Sequence, residues 1–281
     1  HGGFWRIDQE APPAKPAAWP AVTVVIPARN EAAVIGETLR SLWSQEYPGE
    51  LRVVVVDDHS EDGTAAAACA QAPLDRQDRL SVLQAEPLPG GWTGKVWAMH
   101  QGVTRGIPED VTPRYVLFSD ADISHGHGAV RELVARAEAN QLDLTSFMVR
   151  LQCRSAAERL MIPAFVFFFR LLYPFRRVND PGNPLAGAAG GTMLVRYSAL
   201  ERIGGMGAIR REIIDDCSLA REVKRGGHRI WLGLSAASYS TRGYGTLREI
   251  VMMIARTAYT QLGYSPLRLL GCVFGLGLTF L

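Results

Sequence analysis

Asp120 and Asp122 stand one residue apart, directly after the apolar run Y-V-L-F-S (115–119). A buried strand ending in such a pair delivers two carboxylates to the rim of a sheet. Hard divalent cations such as Mg2+ prefer such oxygen ligands and complete their shell with water and phosphate oxygens. The competing account is a loop in which Asp122 caps a helix starting near Gly126. Further charged clusters at strand ends favour the ligand reading. Asp57 and Asp58 follow V-V-V-V (53–56) and can accept hydrogen bonds from a nucleobase N–H or from ribose hydroxyls, while Ser60, Asp62 and Gly63 suit a turn and helix cap. Lys95 ends G-G-W-T-G-K (90–95). Pro89 and Val96 stand where a phosphate-binding P-loop needs Gly and Ser or Thr. Lys95 at a helix start can still neutralise a diphosphate as a point charge, or be a solvated surface lysine.

Asp215 and Asp216 precede a helix that stops at Gly226-Gly227. A carboxylate beside an activated sugar can serve as general base for an attacking hydroxyl; the helix macrodipole alone would also favour acids there. Gly190 and Gly191, within G-A-A-G-G-T-M-L-V (187–195), permit close backbone approach to a ligand. G-G-M-G (204–207) lacks the third glycine of a dinucleotide fingerprint and reads as a loop. The histidines have no zinc spacing, and His125-Gly-His127 reads as a pair of flexible loop residues.

These residues need a scaffold. Strands are expected at 22–26, 51–56, 80–83 and 115–119, with another at 142–149; helices are expected at 31–45 and 64–71. Strands alternating with helices predict an α/β fold with a mostly parallel sheet, whose ligands sit at the carboxyl ends of the strands. Residues 155–175 are apolar all round but interrupted by Pro163, Arg170 and Pro174. With arginines at 150, 154, 159, 176 and 177 beside them, they suit either a helix in the headgroup region of an anionic leaflet or a buried core helix.

At 281 residues the chain can bury a large core. A net charge of +2 implies no nucleic-acid partner. Four scattered cysteines without a C-x-x-C pair argue against zinc and a disulfide framework, and fit a reduced, cytoplasmic setting. Residues 1–20 read as a Pro-rich linker, 21–240 as the catalytic domain, and 241–281 as a juxtamembrane helix followed by the start of a truncated transmembrane segment from residue 269.

In order and spacing, V-V-I-P-A-R-N-E (24–31), V-D-D-H-S-E-D-G-T (56–64), Lys95, S-D-A-D (119–122), the 187–195 segment and I-D-D-C-S-L (214–219) closely resemble the family 2 glycosyltransferases of GT-A fold. W-T-G-K-V-W-A (92–98) and R-T-A-Y-T-Q-L (256–262) look most like the bacterial hopene-associated members. The resemblance implies that Pro27, Glu31, Asp57 and Asp58 line the nucleotide pocket, with Asp58 at the base. It implies that Asp120 contacts ribose or metal, that Asp122 ligates Mg2+ or Mn2+, and that Asp216 is the catalytic base, with Asp215 and Arg256 toward acceptor or diphosphate. Where processive relatives carry Q-x-x-R-W, residues 253–257 keep only Arg256, which implies single transfer. The expected activity is inverting transfer from a nucleotide sugar, with UDP the expected carrier, to a lipid hydroxyl such as that of a hopanoid. The expected site is the cytoplasmic side of a bacterial inner membrane. The rivals are a sugar nucleotidyltransferase, which lacks its glycine-rich basic loop after the first strand here, and a catalytically silent membrane-docking protein.

Overall fold

V-T-V-V-I-P-A (Val22–Ala28) forms the first strand, and only Pro27 within it is not fully buried. A run with no polar face belongs in a parallel sheet covered on both sides. The pleat sends Val24 and Ile26 into one apolar core with Val53, Val55 and Leu117, and Val25 into another with Val54, Val56, Val116 and Phe118. The computed structural model describes residues 13–262, 265–271 and 274. The expected linker therefore lies partly, and the expected apolar C-terminal segment largely, outside the described residues.

In chain order the elements are β1 (Val22–Ala28), α1 (Ile35–Trp43), β2 (Leu51–Asp57), α2 (Thr64–Cys69), β3 (Leu80–Gln84), α3 (Gly94–Thr104), β4 (Tyr115–Ser119), β5 (Ile123–Ser124), α4 (Ala129–Ala139), β6 (Leu144–Arg150), α5 (Ala156–Leu172), α6 (Phe175–Asn179), β7 (Thr192–Arg196), α7 (Tyr197–Arg202), α8 (Asp215–Arg225), β8 (Ile230–Ser240) and α9 (Leu247–Gln261). The strands form one sheet in the order β3-β2-β1-β4-β7-β6-β8-β5. β1, β2, β3 and β4 run parallel, as do β6 and β8, while β7 is antiparallel to both its neighbours. Because β7 runs backwards, the residues just before it reach the edge where β1, β2 and β4 end, and Ser119 faces Thr192.

Apolar residues of α1 and α4 cover one face of the sheet, and those of α3 and α8 the other. Helix α3 lies close on the sheet because Gly102 has no side chain: a Cβ there would stand 2.4 Å from Val25 Cγ1.

Two helices are shorter than expected. Asn30 takes a left-handed conformation (φ 55°), which asparagine tolerates, and residues 31–34 form a turn before α1 begins. Helix α2 ends at Cys69. Pro163, in contrast, does not break α5, which continues through it and through Arg170 and ends before Pro174. Its start is fixed by a capping box: Ser155 Oγ accepts the Glu158 N–H at 3.1 Å, and Glu158 accepts that of Ser155 at 2.8 Å.

The chain forms two compact units, 1–152 with 169–242, and 153–168 with 243–281. The whole sheet belongs to the first. In the second, Glu158 also accepts the backbone N–H of Tyr244 at 2.7 Å, tying the start of α5 to the segment before α9. These bonds, that from Ser155 first, hold its pKa down at about 2. Large apolar side chains lie open on α5 (Leu160, Phe167, Leu172) and α9 (Val251, Met252). Among the described residues no helix is long and apolar enough to cross a membrane.

Candidate active site

The turns after β1 and β2 brace each other. Asn30 N–H donates to Ser60 Oγ, Glu61 N–H to Asn30 Oδ1, Ala32 N–H to Asp62 Oδ2 and Glu31 N–H to Thr64 Oγ1, all at 2.8–3.0 Å. S-E-D-G-T is thus structural. Asp57 belongs with it: it is buried, and its Oδ1 accepts the Ser60 N–H at 3.1 Å. Asp58 is partly buried at the edge, 3.5 Å from Arg29 and 3.3 Å from His59. A Cβ on Gly94, the first residue of α3, would lie 3.2 Å from Asp58 Oδ2, so this carboxylate faces the positive end of that helix. Pro27 stands beside Val56 in register, one residue from the end of β1.

Lys95 reaches from the first turn of α3 to two of the acidic pairs at once. Its Nζ lies 2.7 Å from Asp120 Oδ1 and 3.2 Å from Asp215 Oδ2. Burial works against the ammonium charge, but the carboxylates of Asp120 and Asp215 outweigh it and raise the pKa, so Lys95 stays protonated. Asp215 Oδ2 is buried and takes no aligned hydrogen bond. Asp216 is held differently. Its Oδ2 accepts the Gly190 N–H at 2.8 Å and its Oδ1 the Cys217 N–H at 2.6 Å. A Cβ on Gly190 would come within 3.3 Å of that same Oδ2, a tight contact that glycine avoids. Gly191 packs against Ile123. Burial, and then the charge of Asp215, push the Asp216 pKa up to about 7.

The second arm of the edge centres on Arg242, which no sequence motif contains. Its Nη2 donates to both oxygens of Glu31, and its Nε lies 3.4 Å from Asp122 Oδ2. Asp122 also accepts the Ser240 hydroxyl at 3.0 Å. Burial, then the neighbouring Asp120, raise the pKa of Asp122; burial raises that of Glu31 against the pull of Arg242. The only cue available in the sequence was a basic residue closing an apolar strand. Its meaning depends on β8 pairing with β5, which sets Ser240 opposite Ile123.

His125 is not a flexible loop residue. It is buried, 2.9 Å from Ser119 Oγ, and its backbone N–H donates to Ser41 Oγ; burial lowers its pKa to about 4 and keeps it neutral. His127 Nδ1 lies 3.1 Å from the carbonyl of Ser44. Both tie the loop after Asp122 to the end of α1. The side chain of Arg256 lies outside the described residues. Among the described residues, no three His, Cys, Asp or Glu side chains converge so as to hold a metal ion.

A mixed sheet in which two parallel strands, β2 and β4, end in paired acids, faced by a lysine-bearing helix and a glycine turn, has the form of a GT-A nucleotide-sugar transferase domain. The model for Glycosyltransferase like family 2 matches residues 20–260, and the chain belongs to that family. It is 34% identical over 125 residues to 4,4'-diaponeurosporenoate glycosyltransferase of Staphylococcus aureus, a match covering 44% of this chain and 28% of that protein. Among solved structures, a mannosyltransferase from Pyrobaculum calidifontis in complex with GDP-Man and Mn2+ superposes with a TM-score of 0.67 at 20% identity, covering 93% of this chain and 68% of that one. Glucosyl-3-phosphoglycerate synthase from Mycobacterium tuberculosis, in complex with Mg2+ and UDP, gives a TM-score of 0.54 at 18% identity, covering 87% and 79%.

Proposed function

We propose that this family 2 glycosyltransferase, whose donors are nucleotide sugars, moves a sugar from a UDP carrier to the hydroxyl of a lipid acceptor, with inversion at the anomeric carbon. The observation that carries the reading is Asp216: a carboxylate fixed by two backbone N–H groups and tuned toward neutrality, beside Lys95 and the acidic pair. In the step itself the acceptor oxygen bonds to the anomeric carbon while the bond to the diphosphate oxygen breaks. The hydroxyl proton passes to Asp216, and the electron pair leaves with the diphosphate. Lys95 stands where it can face that growing charge. Asp58, Glu31, Pro27 and the turn shaped by Asp57 frame the nucleotide side.

Asp122 and Asp120 are suited to hold Mg2+ or Mn2+. Asp122 is a carboxylate whose charge is disfavoured by burial and by Asp120, and an added cation relieves both. With two protein carboxylates, the remaining ligands would be water and diphosphate oxygens. The bound cation supplies charge neutralisation for the leaving group. Neighbours of the same fold were solved with Mn2+ or Mg2+.

Three features support the lipid acceptor: the open apolar side chains of α5 and α9, the exposed pair Arg176 and Arg177, and the relative named for 4,4'-diaponeurosporenoate. A hopanoid is the acceptor to try first, on the cytoplasmic leaflet of a bacterial inner membrane. Residues 21–240 would then be the catalytic region and 241–281 the juxtamembrane part. The test is incubation of the protein with vesicles of bacterial lipid extract and, separately, UDP- and GDP-hexoses, followed by lipid mass spectrometry. A hexose increment on a lipid with the UDP donor is expected. Nucleotide release with no lipid gaining mass, or transfer from GDP-hexose alone, overturns the assignment in its acceptor or its donor part.

A further inference from the structure

Asp120 and Asp122 each already face a cation of the chain itself, but the two cations differ. Lys95 is wedged between Asp120 and Asp215 near the start of a helix. Arg242 lies just past the last strand, next to Gly243, and 49% of its side chain is open. Its backbone is secured through Asp122: Thr241 N–H and Oγ1 donate to the Asp122 carbonyl at 2.7 and 2.9 Å, and Arg242 N–H donates to Ser240 Oγ at 3.3 Å. The guanidinium is therefore held by its charge pairs with Glu31 and Asp122, on a residue whose backbone position does not depend on them.

Five carboxylates, those of Glu31, Asp120, Asp122, Asp215 and Asp216, line this edge against Lys95 and Arg242. Asp122 Oδ2 faces Arg242 Nε and accepts the Ser240 hydroxyl, so a divalent cation held by this carboxylate would compete with the guanidinium for its charge. The planar fork that fits a carboxylate fits a phosphate equally well.

Resting on the donor reading above, we propose that Arg242 is an exchangeable counterion. It competes with the divalent cation for Asp122, and once displaced it turns to the donor's diphosphate. One residue then weakens cation binding in the empty site and strengthens nucleotide binding in the loaded one. A purely structural residue cannot do both, because its loss weakens the two together.

The experiment measures Mn2+ binding to the nucleotide-free protein by electron paramagnetic resonance, and UDP binding at saturating Mn2+ by calorimetry. It compares wild type, Arg242→Gln and Arg242→Lys. In Arg242→Gln, Mn2+ should bind ~2–5-fold more tightly, the scale of a half-exposed ion pair. UDP should bind ~10-fold or more weakly, the scale of a lost charge-assisted hydrogen bond. Arg242→Lys keeps the charge without the fork and should recover part of the UDP affinity; it also serves as the folded control should Gln destabilise the protein. Unchanged or weaker Mn2+ binding in Arg242→Gln, or UDP affinity equal to wild type, overturns the inference alone. Failure of the wild type to bind UDP at saturating Mn2+ overturns the donor reading, and the inference with it.

Discussion

Asp216→Asn separates proton transfer from everything else the site does. Both carboxyl oxygens accept a backbone N–H, from Gly190 and from Cys217. Asparagine offers one oxygen and one NH2 group, so one of those donors loses its acceptor, at a cost of about 1–3 kcal/mol in stability. That loss falls on the folded protein with or without substrate, so UDP affinity should stay near wild type. Loss of the base acts only on the chemical step, and transfer should fall ~10²–10⁴-fold, equivalent to about 3–5 kcal/mol of barrier. The pH profile gives a second readout. The base works ionised, and burial has moved its pKa from 3.8 to about 7. Wild-type kcat/KM should therefore rise about tenfold between pH 6 and pH 8, whereas an unshifted carboxylate would give a flat profile across that range. A coupled assay of UDP release, with product checked by mass spectrometry, reads both. A flat wild-type profile, or Asp216→Asn retaining more than half the wild-type rate, refutes the assignment and makes Asp215 the next residue to change.

Asp122→Ala should abolish or sharply weaken UDP binding in calorimetry, and EDTA should do the same to wild type; equal binding in all these states would remove the metal from the reaction. Gly102→Ala sets a methyl 2.4 Å from Val25 Cγ1 and should cost about 1–3 kcal/mol through overpacking, lowering Tm by several degrees in differential scanning calorimetry. An unchanged Tm would mean that α3 can lift from the sheet at no cost. Anionic liposomes should co-sediment the protein at low salt. Arg176→Gln with Arg177→Gln should weaken that binding on the scale of about 1 kcal/mol per basic residue. Arg170 is a poor choice for this test, because its guanidinium lies over the Phe175 ring at 5.4 Å. No sedimentation at low salt would make the exposed apolar side chains something other than a membrane face.

The parallel half of the sheet was legible because β1, β2 and β4 are nearly continuous apolar runs, two of them ending in acids, a pattern with few other stable placements. Asp120, Lys95 and Asp215 could be named from sequence, but their convergence through one ammonium could not: it depends on how closely α3 rests on the sheet, which Gly102 decides. Ser60, Asp62 and Gly63 read as turn residues in the sequence, whereas Asp57 and Asp58 looked alike as ligand-facing acids at a strand end. Only the structure shows that Asp57 joins that turn by accepting the Ser60 N–H, and that Asp58 instead meets Arg29 and His59. Arg242 was illegible for a topological reason, since its partners are 120 and 211 residues away and meet it only through the order of the strands.

The loop carrying Asp120 and Asp122 leaves β4 in the middle of the sheet and ends in β5, the two-residue strand at the far edge, whose strand partner is β8. During synthesis this loop emerges more than a hundred residues before Ser240, the residue that anchors its far end. Helix α1 already holds the loop, through Thr38 Oγ1 on the Ala121 carbonyl and the His125 N–H on Ser41 Oγ. Until β8 docks, however, the Asp122 carboxylate lacks both Ser240 and Arg242, and closing so long a separation is the slow kind of step in folding. A nascent chain thus has strands β1 to β4 well before Asp122 has its partners at the end of β8. A chain ending short of residue 240 keeps the contacts of this loop with α1 but lacks Ser240 and Arg242, the partners of the Asp122 carboxylate.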